Sequence, residues 1–462
     1  MNVRLSGVPG YLVFPLCLIL LVLGDANAQT IEDALTIAYR NNPTLLGQRA
    51  KLRATDEGVS QALSDWRPSV EISGSISRSI TTNTARTFDG QNQIRTPRGV
   101  TLEISQPLFR GGRTLAATRE AENTVHAERW RLAEIEQDVL LDAATAFLDV
   151  FRDEAVLKLN INNEQVLKRQ LEATRDRFEV GEITRTDVHQ AEARLAGAAA
   201  DRIESEGNLE AARATYRNVV GEAAPRNLKV PATPTGHPDT QEEANKAAAL
   251  DNPVVVSAEF DRKALEDEVD EVRGELLPSV DLNFKVSRNF ENSSNTNIFR
   301  EESVTATVTV PLYQQGEVFS RLREAKQDVA EQVQIVDQTR RDAIEDATRA
   351  WESLVTARAR VKSFKAQIEA NVVALEGVER EAQVGSRTVL DVLDAEQELL
   401  DSRVAHVRAQ RDELVAIFEL KAAMGQLTAQ RMHLPVEAYD PAVHYQEVRD
   451  KWFGGASRGG VE

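Results

Sequence analysis

Val180-Gly181-Glu182-Ile183-Thr184-Arg185-Thr186-Asp187-Val188-His189-Gln190-Ala191-Glu192 is answered later in the chain by Val384-Gly385-Ser386-Arg387-Thr388-Val389-Leu390-Asp391-Val392-Leu393-Asp394-Ala395-Glu396. The shared pairs Val-Gly, Asp-Val and Ala-Glu all stand 204 positions apart. Outward from there, Gly221 matches Gly425 and Pro107-Leu108 matches Pro311-Leu312 at the same offset. Further upstream, Pro68-Ser69-Val70 matches Pro278-Ser279-Val280 and Asn42-Pro43 matches Asn252-Pro253, now 210 apart. The offset changes between two strand-like segments, so the first half carries six extra residues there. An ordered set of matches at fixed spacing marks an internal duplication.

Each half has one plan. Helices are expected at 31–39 and 44–65, and again at 240–250 and 254–276. A pair of strands follows. A very long helix then runs without proline over 113–180 and 317–384, ends at Gly181 or Gly385, and gives way to a return helix that stops at Gly221 or Gly425. Glycine tolerates the left-handed backbone of a helix end, and Thr186 and Thr388 are expected to open the return helices. The long helices have a seven-residue period. Leu354, Val361, Ile368, Leu375 and Ala382 form one stripe, and Leu393, Leu400, Val407 and Leu414 form its counterpart on the return helix. Such a repeat makes a left-handed supercoil seam. At 1.5 Å per residue, a helix of this length spans roughly 100 Å.

The strand segments alternate. Val70, Ile72 and Ile76 oppose Glu71, Ser73 and Ser75; Val280, Leu282, Phe284 and Val286 oppose Asp281, Asn283 and Lys285. Val100, Leu102 and Ile104, and Val304, Ala306, Val308 and Val310, repeat the pattern. Period two with one apolar face marks a half-buried strand, and about 10 residues is the length of an outer-membrane barrel strand. The connections 78–98 and 291–300 are polar and are expected as loops. Four strands cannot close a barrel, because single-chain barrels begin at about 8. Two copies would give a nearly filled interior, whereas three or more would give a bore.

Composition narrows the class further. Arg4, the apolar run Leu16 to Leu23 and Ala26-Asn27-Ala28 read as a cleaved secretory signal over 1–28. Cys17, the only cysteine, lies inside it. After Gln29 no apolar run is long enough for a transmembrane helix, so membrane entry would require a closed β-barrel. The net charge of −18, from 73 acidic and 55 basic residues, argues against nucleic-acid binding. The six histidines are scattered without ligand spacing, and neither a nucleophile elbow nor a phosphate-binding glycine loop is present. An enzyme is therefore not expected, and neither a cofactor nor a metal is called for. A soluble periplasmic coiled-coil or adaptor protein is the alternative, but an adaptor would carry one hairpin rather than two.

Taken together, the chain resembles the TolC-type outer-membrane efflux protein family. The carrying residues are Asn42-Pro43, Trp66-Arg67-Pro68-Ser69-Val70, Gln106-Pro107-Leu108-Phe109 with Gly111-Gly112-Arg113, Pro311-Leu312-Tyr313, Phe178-Glu179-Val180-Gly181, and above all Arg387-Thr388-Val389-Leu390-Asp391-Val392-Leu393-Asp394-Ala395. The resemblance implies a mixed α and β membrane protein. Four strands per protomer would join a trimeric 12-stranded β-barrel in the outer membrane, continued into the periplasm by a coiled-coil α-helical tunnel. It also implies a homotrimer that works with a periplasmic adaptor (membrane fusion) protein and an inner-membrane ABC or proton-driven pump, in multidrug efflux or type I protein secretion. The implied organisation is a signal over 1–28, a first repeat over 29–225 with its hairpin at 68–109, and an equatorial linker over 226–239. A second repeat over 240–434 has its hairpin at 278–313, and an unstructured tail covers 435–462.

By the same resemblance the helical tips form a closed periplasmic entrance. Its constriction involves Arg387 on one side and Thr186 and Asp187 on the other, while Gly181 and Gly385 mark the tip turns where an adaptor docks. The family often has Tyr where Ala382 stands. Asp391 and Asp394 lie three apart on one helix face, so a trimer would stack them as two carboxylate rings that favour cations. The alternative for Asp187 and Asp391 is that they complement the helix macrodipole. Val180, Ile183, Val384 and Val389 are either adaptor contacts or coiled-coil packing.

Overall fold

A computed structural model describes residues 29–82, 92–225, 228–229, 236, 238–291 and 297–455. In order, the elements are α1 (Ile31–Asn41), α2 (Pro43–Ser64), β1 (Ser69–Ile76), β2 (Ser79–Thr82), β3 (Asn92–Arg95), β4 (Arg98–Arg110), α3 (Arg113–Glu179) and α4 (Arg185–Val220). There follow α5 (Gln241–Asp251), α6 (Pro253–Gly274), β5 (Ser279–Phe290), β6 (Ile298–Thr309), α7 (Glu317–Gln383), α8 (Val389–Ala423) and α9 (Ala442–Val448). The secretory signal and most of the linker 226–239 lie outside the described residues.

The two halves are built alike down to their caps. Asn42 and Asn252 each precede a proline that opens a helix, and proline suits the first helical position because its missing N–H is not needed there. The Asn42 carboxamide oxygen accepts from Thr44 N and Leu45 N, while its Nδ2 donates to Val219 O at 2.9 Å. Asn252 does the same with Val254 N and Ala423 O, also at 2.9 Å. One residue type thus caps a helix and ties it to the end of the return helix, in both repeats. Gly111 fills a different need: a Cβ there would lie 2.2 Å from Gly274 O, so the start of α3 and the end of α6 meet backbone to backbone.

β1, β4, β5 and β6 form one antiparallel sheet in the order β1-β4-β5-β6. Its register turns the alternation of each strand into rows. Val70 faces Ile104, Ile104 faces Phe284 and Phe284 faces Val304; Ile72 faces Leu102, which faces Val286. The opposite face carries the rows Ser69, Ser105, Asn283, Thr305 and Glu71, Glu103, Lys285, Ser303. Side chains alternate across a strand, so one face is mainly apolar and the other polar; the apolar face takes on Arg288, Arg300 and Glu302 towards the loop end. The apolar face is uncovered within one chain, with Val70, Ile72, Ile76, Val304 and Val308 all at least 60% exposed. Both outer edges, β1 and β6, are unpaired among the described residues.

The expected loop 78–98 is not loop throughout. β2 and β3 continue the first hairpin as a two-stranded ribbon, with Ile80 opposite Ile94; residues 83–91 lie outside the described residues, as do 292–296 of the second connection.

α3 and α7 are each 67 residues long, about 100 Å. They pack against α4 and α8 as two helical hairpins. The main core lies midway along them, where Tyr216, Phe147, Phe418, Leu35 and Leu45 are fully buried. No helix among the described residues is long and apolar enough to cross a membrane.

The tail from Pro435 is expected to lack structure, and this is corrected over 435–455. α9 lies on α2, and His444 Nδ1 meets Asp56 Oδ2 at 3.0 Å with both side chains buried. Arg449 and Tyr445 both reach Glu122 on α3. The glycine pairs near the end say nothing of this attachment, which rests on His444 being complementary to a buried carboxylate far away in the chain.

Candidate functional site

Each long helix ends in the same motif. Gly181 takes φ 80° and Gly385 φ 78°. Glu182 N then donates to Arg177 O and Gly181 N to Phe178 O; Ser386 N and Gly385 N repeat this with Glu381 O and Ala382 O. These paired bonds satisfy the last carbonyls of the helix, and the left-handed residue between them favours glycine.

The return helices open on capping boxes, in which a threonine hydroxyl and an acidic side chain satisfy each other's backbone N–H. Thr388 is the cap of α8, as expected. In α4 the cap is Thr184, not Thr186: Thr184 N and Oγ1 both donate to Asp187 Oδ2 at 2.8 Å. The box needs its acid three residues on, and only Thr184 stands at that distance from Asp187. Thr186 is left exposed on the first turn. Asp391 Oδ2 likewise accepts from Thr388 N and Oγ1 at 2.8 Å. The Thr388 amide and hydroxyl hold the Asp391 carboxyl below the usual carboxylate range, with Arg387 adding to the effect.

Arg387 lies on its own hairpin. Its Nε donates to Glu381 Oε2 at 3.0 Å, and its Nη1 stands 3.9 Å from Asp391 Oδ1. Among the described residues it is not brought to Thr186 or Asp187. Ala382 is half-buried in the seam with Leu375, Val392 and Leu399.

The link between the two hairpins near the tips is made by residues of α4 and α8. Arg194 Nη2 donates to Asp394 Oδ1 at 2.5 Å. Beneath it Leu167 and Leu171 of α3, Val188 and Ala191 of α4, and Val389 and Leu393 of α8 form one buried cluster. Burying the leucines and valines among them contributes about 1.5–3 kcal/mol each. Val389 is therefore packing, whereas Val180 and Val384 are more than 70% exposed at the turns. The sequence reading missed Arg194. It pairs with a residue that is not its repeat equivalent: the position equivalent to Arg194 is Glu398, and that equivalent to Asp394 is Gln190. A charge comparison across the two return helices, rather than along the duplication, is the signal that could have found it.

Farther up, Asp149 of α3 accepts from Arg152 Nη1 and from Arg411 Nε of α8, both at 2.8 Å. Asp149 and Arg152 border a cavity of about 990 Å³ between the hairpins, lined also by Asn160, Asp201, Asp401 and Arg408. The hairpins are thus joined at two levels and held apart between them by a polar space.

The sequence matches the model of the family described as outer membrane efflux protein over residues 34–222 and 245–426. It is 34% identical to outer membrane efflux protein BepC of Brucella suis biovar 1 (strain 1330), over 93% of this chain and 92% of that protein. It is 25% identical to outer membrane protein TolC of Vibrio cholerae, over 87% of this chain and 92% of that protein. The fold is that of the CmeC outer membrane channel of Campylobacter jejuni, with a TM-score of 0.77 at 17% identity over 92% of this chain and 90% of that one. A match to the family model on both sides of the linker, and a relative aligned along nearly its whole length, have one reading: the chain belongs to the outer membrane efflux protein family, as a channel of the outer membrane that extends into the periplasm.

Proposed function

We propose that three copies of this chain close head to tail, β6 of one pairing with β1 of the next, into a 12-stranded barrel whose polar face lines a bore. The observation that carries this is the four-stranded sheet that is mainly apolar on one face, polar on the other and, among the described residues, unpaired at both edges. Unsatisfied edges are not tolerated in lipid, and a rotation that closes makes a ring. Two copies would supply 8 strands and almost no bore, whereas three supply 12 and a water-filled one.

In this reading α3, α4, α7 and α8 continue the bore into the periplasm. Their tips, at Gly181 and Gly385, form the entrance and meet a periplasmic adaptor fed by an inner-membrane pump of the ABC or proton-driven kind. Asp391 and Asp394 form two acidic rings that favour cations. Thr186, Asp187 and Arg387 stand at the constriction, Asp187 and Asp391 also closing the capping boxes. The Arg194–Asp394 pair supports a further role: Asp394 latches the two hairpins of one protomer and is masked as a pore charge while it does so.

The test is the mass of the detergent-extracted complex together with its conductance in a planar bilayer. A particle of roughly three times the 51.1 kDa chain, conducting and cation-selective, is expected; a water-soluble monomer would sink the proposal. Co-purification identifies the pump class.

A further inference from the structure

The C-terminal segment ends beside the base of the barrel. From the equatorial core it climbs along α1 and α2: Tyr439 N donates to the Tyr39 hydroxyl, His444 pairs with Asp56, and Arg449 with Glu122. Arg67, two residues before β1 begins, donates from Nη1 to Lys451 O at 2.8 Å, and its guanidinium lies 5.0 Å from the Trp452 ring centre. Trp452 is then 57% exposed and Phe453 88% exposed. A long strap of specific contacts therefore ends by presenting two aromatic rings to the surroundings.

That level of the molecule is set by the strands. Trp66 precedes β1, Phe109 closes β4 and Tyr313 follows β6, and all three are at least 45% exposed. Phe109 stands in the apolar row with Val280 and Val308, and Trp66 and Tyr313 flank the same, helical end of the sheet. Trp and Tyr concentrate where a membrane-spanning segment meets the headgroups, because their rings are apolar with a polar edge. α1 packs on α3, α5 on α7 and α9 on α2; in a closed ring of three, such a second layer on the inner face would fill the conduit, so the strap belongs on the outer side.

From this continuity we propose that Trp452 and Phe453 form a lipid anchor: they insert into the headgroup region of the periplasmic leaflet of the outer membrane. α9 and the Arg67–Lys451 contact fasten the anchor to the base of the barrel. The proposal rests on the sheet being a barrel wall, so its test includes the wall separately. Cys17, the only cysteine, lies in the leader, which leaves an introduced thiol unique after processing. Phe453→Cys, Trp452→Cys and, on the strand, Val70→Cys are each labelled with an environment-sensitive nitrobenzoxadiazole dye. The full-length proteins are placed in vesicles of phosphatidylethanolamine and phosphatidylglycerol.

The dye at 453 is expected to emit to the blue of its aqueous position and to be quenched more by a headgroup-region nitroxide lipid than by a mid-chain one, with loss of quenching by aqueous iodide. The dye at 70 is expected to be quenched by nitroxide lipid at greater depth. If the dye at 70 is lipid-quenched while those at 452 and 453 are iodide-quenched, the tail faces water and the anchor is refuted with the barrel intact. Blue emission at 453 without lipid quenching would place the ring against a neighbouring protomer and equally refute it. Failure at 70 would overturn the barrel reading itself.

Discussion

Replacing Arg194 by Ala removes the ion pair that joins the two hairpins of one protomer near the tip, without touching the buried cluster beneath. Both partners are substantially exposed, 41% for Arg194 and 54% for Asp394. An exposed pair contributes about 0.2–1 kcal/mol. Three pairs released together in a closed ring sum to about 0.6–3 kcal/mol, which is roughly a 3- to 150-fold change in the ratio of open to closed entrances. Single-channel recording in planar bilayers reads that ratio directly.

The charge bookkeeping separates a latch from an incidental pair. Arg194→Ala unmasks Asp394, so openings should become more frequent and cation selectivity should rise. Asp394→Asn breaks the same link but removes the carboxylate, so openings should again rise while selectivity falls. Raising salt should shrink the wild-type barrier towards that of the variants, since exposed charges are screened over about 10 Å at 0.1 M. The double variant decides the matter: partners that act on each other do not add. If the two substitutions change opening by independent, additive amounts, or if Arg194→Ala leaves it unchanged, the latch assignment is wrong.

Asn252→Ala removes a helix cap and the bond to Ala423 O, and should lower the stability of the equatorial region by about 1–3 kcal/mol, read as faster amide exchange at the start of α6 and the end of α8. His444→Ala leaves the buried Asp56 carboxyl without its imidazole partner; orphaning a buried polar group costs about 1–3 kcal/mol, so residues 440–455 should become protease-sensitive while the long helices stay protected. Burial and the neighbouring Glu271 and Glu268 push the Glu120 carboxyl up to about 7 from its ordinary 4.5. Its folded pKa is above its unfolded one, so the stability it contributes is full below pH 4.5 and is lost as pH rises through 7. Glu120→Gln keeps a donor to Glu271 and should raise the thermal midpoint at pH 8 by the equivalent of about 1–2 kcal/mol after allowance for solvent screening, with little change at pH 4; equal midpoints at pH 8 would refute the assignment.

Much of the fold is legible because its determinants are local or repeated. The capping asparagines, the tip glycines and the alternating strands each express a short-range rule, and the duplication states every rule twice. The strand register is legible only in part. Alternation says which residues share a face, but Phe109 joins the row of Val280 and Val308 only because β4 carries an irregularity between Pro107 and Phe109, and no periodicity announces it. The ordered tail was illegible for a related reason. Its attachment depends on His444 meeting an aspartate 388 positions away, and a lone histidine in a polar stretch carries no sign of its partner.

The tip is where local rules and function diverge. A capping box explains Asp187 and Asp391 fully without any pore, and the exposed valines at the turns follow from the turns alone. What the helix rules leave unexplained is Asp394, which is one turn beyond the cap and has no backbone amide to satisfy. Its partner Arg194 breaks the duplication rather than following it. The repeat equivalents of the two partners are Glu398 and Gln190, so a strictly duplicated sequence would carry the Arg–Asp pair twice, whereas this one carries it once. A link made once per protomer parts more readily than one made twice, and Arg194–Asp394 is that link. The departure from the repeat is thus the place where a mechanism is to be sought.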